Sequence, residues 1–403
     1  MECRVCDGRD FRLVVDLGCQ PRGNHFLTKE EVGQEPMYPL RLIYCNQCAT
    51  AQLDYTVKKE IVNNDHSYLS GVTRSLRDHF ASVAEGVDKA FFSLRAKKSA
   101  LDIGSNDGTG LIPYQKLGYR TLGVEASSQL AKIANEHNVE TLHAFFNLPL
   151  AESLGESFDV INAAGVFFHL EELHSVTQGI RYLLKPDGVF VIQAMYMKNI
   201  LENQAFDQIY HEHLLFYTFK TLQKLLRRHG LELFDGYISP IHGGSIIGYA
   251  GHLGSRPQTE RLKQLIQEEE LADTNAFATY AAFASQLPRM KEENLSFLEM
   301  KKQEGKVIYG MGAPVKGNTL LNYFGIGTQY LTCLVEKNAL RKGRFSPGMH
   351  VPIFMEDEVP PPDVYYVLAW NFKKEILANN THLLKQGVEF YFPVDPERRF
   401  VTV

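Results

Sequence analysis

From Lys98 to Tyr196 short apolar runs alternate with amphipathic stretches, in "SALDIGSNDGTGL", "YRTLGVEASSQLAKIANEHN", "FDVINAAGVFFHL" and "LLKPDGVFVIQAMY". Strands separated by helices cannot pair through tight turns, so this alternation predicts a parallel sheet with helices on both faces. Ligands of such sheets sit beyond the carboxyl ends of the strands. A second strand-glycine-helix run, "KVIYGMGAPVKGNTLLNYFG", with "YLTCLVEKN" and "DVYYVLAWNFKKEIL" after it, predicts another, smaller α/β unit.

The first unit carries a specific ligand signal. Asp102 closes its strand, and Gly104, Gly108 and Gly110 follow. The G-x-G-x-x-G order that grips a dinucleotide pyrophosphate is absent. S-adenosylmethionine presents an ammonium and a carboxylate instead of phosphate, and an acidic strand end with a wider D-x-G-x-x-x-G loop suits it better. Glu125 ends the next strand, where an acid accepts hydrogen bonds from ribose hydroxyls. The expected cofactor set is Asp102, Gly104, Ser105, Asn106, Gly108 and Glu125. Phe145 would lie beside adenine, although Phe145 and Phe146 read equally well as core. His169, closing "GVFFHL", reads as a structural residue or as one facing a substrate.

Four of the six cysteines form two pairs, Cys3-x-x-Cys6 and Cys45-x-x-Cys48. In a reducing compartment two such knuckles predict a closed tetrahedral zinc site with no open position, hence a structural metal. Free thiols are the alternative. Cys19 and Cys333 remain and are expected to be buried as small apolar residues.

A length of 403 residues exceeds one ordinary domain. A net charge of −5 without a basic stripe opposes nucleic-acid or membrane-surface binding. No apolar run reaches the length of a membrane span, and "MECRVCDGRD" lacks a basic-then-apolar signal, so a cytosolic protein is expected. Changes of pattern divide the chain into a zinc module (1–65), an S-adenosylmethionine domain (66–240) and a C-terminal Rossmann-like domain (241–403). Connecting helices are predicted near Leu262 to Lys302.

The stretch "IYHEHLLFYT" places Tyr210, His211, Glu212 and His213 side by side. Metalloprotease spacing is not present. On a helix Tyr210 and His213 share a face; on a strand His211 and His213 do. Alone, the stretch reads equally as a polar turn.

The segments "CRVCDGRDFRLVVDLGCQPRGNHFL", "YPLRLIYCNQC", "LDIGSNDGTGL", "IYHEHLLFYT", "HGGSIIGY", "GAPVKGNTLLNYFG" and "RFSPGMHVPI" together resemble the three-part sugar C-methyltransferases. The resemblance covers nearly the whole chain, with the motifs in order. It implies a zinc-binding N-terminal domain, a Rossmann-like S-adenosylmethionine-dependent methyltransferase domain and a C-terminal nucleotide-like domain, acting on nucleotide-linked 4-keto-deoxysugars at C-3 or, in some relatives, C-5. It also implies active-site roles for Tyr210, Glu212 and His213.

Methylating a carbon beside a ketone requires a base of near-neutral pKa and a donor aimed at the enolate oxygen. His213 is the expected base. Glu212 would orient an imidazole or hold a sugar hydroxyl, Tyr210 and His169 would serve the oxyanion, and His211 would be structural. Tyr68, His242, Lys316 and Asn318 are the expected substrate contacts, with Lys316 and Asn318 facing the diphosphate; a helix cap with a solvated lysine is the alternative there. The expected partner is the nucleotide-diphosphate sugar, and the expected assembly a monomer or weak homo-oligomer. The rival readings are a nicotinamide-dependent reductase housed in the C-terminal domain and a zinc-ribbon nucleic-acid interaction protein.

Overall fold

The computed structural model describes residues 1–64, 69–394 and 400–401. Strands β1 (Phe11–Pro21), β2 (Met37–Cys45) and β3 (Ala51–Leu53) form an antiparallel meander. Each cysteine knuckle turns back through a left-handed residue, Asp7 (φ 57°) after the first and Ala49 (φ 66°) after the second. Backbone bonds from Asp7 N to Cys3 O and from Ala49 N to Cys45 O, 2.9 and 2.8 Å, close both turns.

The central sheet begins with β4 (Lys98–Ile103), β5 (Tyr119–Glu125), β6 (Thr141–His143), β7 (Phe158–Ala164) and β8 (Leu184–Met195), all parallel. Their near-continuous apolar runs are buried on both faces, as a sheet sandwiched between helix layers demands. The chain then leaves this sheet: β9 (Leu215–Phe216) pairs with β3 of the N-terminal meander. It returns as a hairpin, β10 (Leu231–Ser239) and β11 (Ser245–His252), whose second strand pairs antiparallel with β8. The order is β10-β11-β8-β7-β4-β5-β6, so strand direction of travel reverses between β4 and β7.

Helices Glu260–Leu271 and Phe277–Gln303 lead to the third sheet. It contains β12 (Ile308–Met311), β13 (Cys333–Glu336), β14 (Ile353–Met355), β15 (Val364–Val367), β16 (Glu389–Tyr391) and β17 (Phe400–Val401). The order is β14-β13-β12-β15-β16-β17, parallel apart from β17, with its own reversal between β12 and β15.

The architecture is the α/β arrangement expected, with two corrections. A boundary at 240/241 cuts the hairpin that completes the central sheet, because β11 is one of its strands. The antiparallel return of β11 breaks the strand-helix alternation on which that boundary relied. Cys19 is exposed rather than buried, whereas Cys333 is 2% exposed. Among the described residues no helix is long and apolar enough to cross a membrane.

Candidate active site

The four knuckle thiols converge, every Sγ lying within 4.8 Å of the others. Closest approaches are 3.5 Å for Cys3 and Cys48 and 3.6 Å for Cys6 and Cys45. Tetrahedral zinc with bonds of about 2.3 Å sets sulfurs about 3.8 Å apart, so the donor set fits that ion. Gln52 Nε2 and the Val5 amide point N–H groups at Cys3 Sγ, at 3.1 and 3.4 Å, the outer support a metal-bound thiolate requires.

At the reversal of the central sheet, Gly104 (φ 70°) turns the chain out of β4 and its amide bonds Val124 O at 2.8 Å. A Cβ on Gly110 would sit 2.9 Å from Asp102 Oδ2, so the loop passes hard against that carboxylate. Asp102 is buried, its Oδ1 has no hydrogen-bond partner among the described residues, and Ser105 Oγ is likewise unsatisfied. Burial first, and the Glu125 charge second, push Asp102 up to about 8. Glu125 accepts from the Asn106 and Ser127 amides at 2.9 and 2.8 Å, which fixes the loop and leaves lone pairs for a further donor. Asp102, Tyr114, Asn162 and Gln193 line a cavity of about 20 Å³. Orphaned acid and hydroxyl beside a glycine cradle are the groups that S-adenosylmethionine would need, Asp102 toward an ammonium and Glu125 toward ribose hydroxyls. Gly108 (φ 81°) packs against Val139. Phe145 is 38% exposed with the Lys59 ammonium 4.6 Å above its ring, while Phe146 is core.

The Tyr210 to His213 stretch is neither helix nor strand. It is a turn closed by the His213 amide on Tyr210 O at 2.8 Å. It is not a wet loop either: His211, Glu212 and His213 are 2, 9 and 5% exposed. Two features hold it. The Leu214 amide bonds Phe168 O at 2.9 Å, zipping the turn to the carboxyl end of β7, and β9 then anchors it to the zinc module. Tyr210 and His213 rings stand 3.7 Å apart by centroid, and the His169 ring lies 5.1 Å from His213.

Carbonyl oxygens only accept, so each imidazole tautomer is decided. His213 Nδ1 donates to Gln208 O at 2.8 Å, leaving Nε2 with its lone pair. His169 Nδ1 donates to the carbonyl of Glu212. Among the described residues the Glu212 carboxylate bonds neither ring, which corrects that part of the Glu212 expectation: its backbone carbonyl takes the His169 Nδ1–H. Both carboxylate oxygens of Glu212 lack hydrogen-bond partners among the described residues, and burial raises its pKa. His213 departs from the near-neutral pKa expected of it. Burial, then the neighbouring His169, lower it well below the usual imidazole value, so it is neutral throughout the physiological range. His211 donates Nε2–H to Tyr38 O at 3.3 Å and packs edge-on against that ring, a structural placement.

His242, in the left-handed region at φ 58°, is exposed to solvent yet ringed by protein, as a side chain lining a cleft is. That crowding, with His79 and Lys316 nearby, lowers it to about 4. Lys316 is not a solvated cap. Its side chain is 13% exposed, 3.9 Å from Asp207 Oδ2 and 3.6 Å above the centroid of Trp370. Asn318 faces away from this cleft wall toward the N-terminal module, donating to Gly23 O at 2.7 Å. Tyr68 lies outside the described residues.

Sequence reasoning missed Asp207, Gln208, Trp370, Arg22 and His79. Arg22 is buried, and its charge reaches Glu212 and His211 from the turn after β1. His79 Nε2 meets Gln193 Oε1 at 2.7 Å above the cofactor crevice. The available signals were Asp207 next to Phe206 in "QAFDQIY" and the chain's single tryptophan.

Family models match in three blocks. "Putative zinc binding domain" covers residues 3–62, "Methyltransferase domain" covers 75–235 and "C-methyltransferase C-terminal domain" covers 240–395. The C-methyltransferase NovU of Streptomyces niveus is 29% identical over 408 residues, spanning 100% of this chain and 97% of the relative. Among solved structures, the magnesium protoporphyrin IX methyltransferase ChlM of Synechocystis PCC 6803 overlaps 48% of this chain and 100% of its own at 13% identity and TM-score 0.38. The 1,6-didemethyltoxoflavin-N1-methyltransferase of Burkholderia thailandensis overlaps 52% and 98% at 17% identity and TM-score 0.37.

Proposed function

We propose, starting from a chain that is a three-part S-adenosylmethionine-dependent C-methyltransferase with an N-terminal zinc-binding domain, that it methylates a nucleotide-linked 4-keto-deoxysugar at the carbon beside the ketone. The carbon is C-3, with C-5 as the alternative. The observation that carries the reading is the His213 imidazole: neutral, with Nδ1 committed to Gln208 O and Nε2 left to accept a proton, against Tyr210 and beside His169.

S-adenosylmethionine supplies an electrophilic methyl group when bound. The rest is the work of the chain. His213 Nε2 takes the proton from the carbon next to the ketone, the C–H pair becomes the C=C bond while the carbonyl π pair moves to oxygen, and the enolate carbon then accepts the methyl as the ketone re-forms, with S-adenosylhomocysteine as the leaving group. A base with so low a pKa supplies modest driving force, so the donors aimed at the oxygen must supply more. Tyr210 O–H serves that part, whereas His169, whose Nδ1–H is already given to Glu212 O, keeps only a lone pair at Nε2 while neutral; losing one such donor typically costs about 10²–10³ in rate. The carboxylate of Glu212 holds a sugar hydroxyl, replacing hydrogen bonds it otherwise lacks. His242 lines the cleft between this turn and Lys316, and Lys316 at the N-terminus of helix Val315–Phe324 faces the diphosphate.

The nicotinamide rival is disfavoured by Glu336, the acid at the end of β13. It is taken up by the Ala313 amide at 2.9 Å and by Arg341 at 3.0 Å.

Incubation with S-adenosylmethionine and a panel of nucleotide 4-ketosugars tests the reading, with mass spectrometry and NMR locating the added methyl on carbon. Methyl found on oxygen or nitrogen, or on no member of the panel, rejects it.

A further inference from the structure

Asp207 lies on the turn Phe206–Gln208 and is fully buried. Its Oδ2 accepts the indole N–H of Trp370 at 2.6 Å, and the Lys316 ammonium stands 3.9 Å from the same oxygen. Lys316 follows β12 and Trp370 follows β15, so these two flank the crevice where the order of the third sheet reverses. A carboxylate from the methyltransferase part therefore plugs the ligand crevice of the C-terminal part. Its Oδ1 has no hydrogen-bond partner among the described residues. Burying a carboxylate on one N–H and one offset cation is a costly arrangement.

The next residue along the chain suggests what the arrangement does. The Gln208 carbonyl accepts His213 Nδ1–H at 2.8 Å, and that bond alone decides which nitrogen keeps its lone pair. The turn is short: the Gln208 amide bonds Ala205 O at 3.1 Å and the Ile209 amide bonds Phe206 O at 2.9 Å. The Asp207 side chain and the Gln208 carbonyl thus belong to one short bonded turn.

The geometry points to Asp207 as a positioning residue: it ties the turn Phe206–Gln208 to Trp370 and Lys316, and so holds the Gln208 carbonyl on His213 and keeps Nε2 as the proton acceptor. The inference rests on the reading of His213 as the base. It makes the C-terminal part a contributor to turnover as well as to binding. Through the Lys316 charge it also links the place where a diphosphate would sit to the proton-transfer step.

Asp207→Asn in the full chain is the direct test, because asparagine keeps the shape and an acceptor for the indole while removing the charge. The expected result is a fall in kcat of about tenfold with KM for the nucleotide 4-ketosugar within about threefold. Nitrogen-15 NMR of labelled histidine, with the His213 signals identified by substitution, should change from one Nδ1–H tautomer in the parent to a mixture. Trp370→Phe removes the indole N–H and leaves both charges. It should move both readouts the same way by less, and it serves in place of Asp207→Asn if that variant fails to fold. A single tautomer and an unchanged kcat in the folded variants overturn the inference. A raised KM with kcat preserved overturns it as well, since Asp207 would then support binding alone. If the parent turns over no ketosugar, the proposed substrate class fails, while the tautomer measurement still decides the positioning role.

Discussion

The central and C-terminal sheets build the same crevice twice and finish it differently. In both, a glycine with positive φ leaves the first strand, Gly104 and Gly312, and bonds the backbone of the second, Val124 O and Val335 O, at 2.8 Å. In both an acid ends the second strand, Glu125 and Glu336, and accepts from the amides of the preceding loop. Two residues before the glycine they part. The central unit has Asp102, buried and incompletely bonded, whereas the C-terminal unit has Gly310, where an added Cβ would fall 2.3 Å from a Leu334 methyl. The cavity beside Asp102 sets that carboxylate, Asn162 and Gln193 into a mostly apolar lining; the corresponding place beside Gly310 is filled with leucine. What the difference teaches is that the strand-glycine-helix frame is common to both units, and that the unsatisfied Asp102 carboxylate is what sets the central one apart.

The largest expected effect lies outside both frames and shows what each crevice does not supply. His213→Ala should cut turnover by about 10²–10⁴ while leaving calorimetric affinity for S-adenosylhomocysteine at its parent value. Next, Asp102→Asn should weaken that affinity by about 10- to 100-fold, the worth of a charge-assisted hydrogen bond, and Glu336→Gln should leave it alone. Equal losses from the two substitutions would erase the distinction drawn between the crevices.

The same carboxylate predicts a pH dependence. Asp102 is neutral below its raised pKa of about 8, and only the ionised form attracts an ammonium. Affinity for S-adenosylhomocysteine should thus fall as pH drops below about 8, by up to about tenfold per unit, and Asp102→Asn should flatten the slope between pH 6.5 and 8. The smallest effect belongs to the C-terminal crevice. Lys316→Gln should raise the KM for nucleotide sugar about fivefold, roughly 1 kcal/mol, with no change in cofactor affinity.

Much of this was legible in order along the chain because the contacts involved are local or periodic. The strand-helix alternation from Lys98, the spacing of Asp102 from Glu125 and the two cysteine knuckles each state their own geometry. Tyr210 and His213 read as sharing a face if the stretch is a helix, and His211 and His213 if it is a strand; a turn brings the first pair together instead. What stayed hidden depends on partners brought together by folding. Trp370 bonds Asp207 across 163 residues, and β9 pairs with a zinc-module strand, neither of which leaves a periodic trace. The depressed pKa of His213 was equally out of reach, because desolvation is a property of the packed turn and not of the histidine. Lys316 read either as facing a diphosphate or as a solvated cap, and its partners Asp207 and Trp370 stayed hidden because they come from two other places in the chain.

The most direct test of the account asks whether His213 removes a proton before any methyl moves. The folded parent and His213→Ala are each incubated in deuterium oxide with S-adenosylhomocysteine, which cannot donate a methyl, and a nucleotide 4-ketosugar that the parent methylates. The account predicts that the parent exchanges hydrogen for deuterium at the one carbon it methylates and that the variant does not exchange above the rate without enzyme. Exchange by His213→Ala at the parent rate would contradict it.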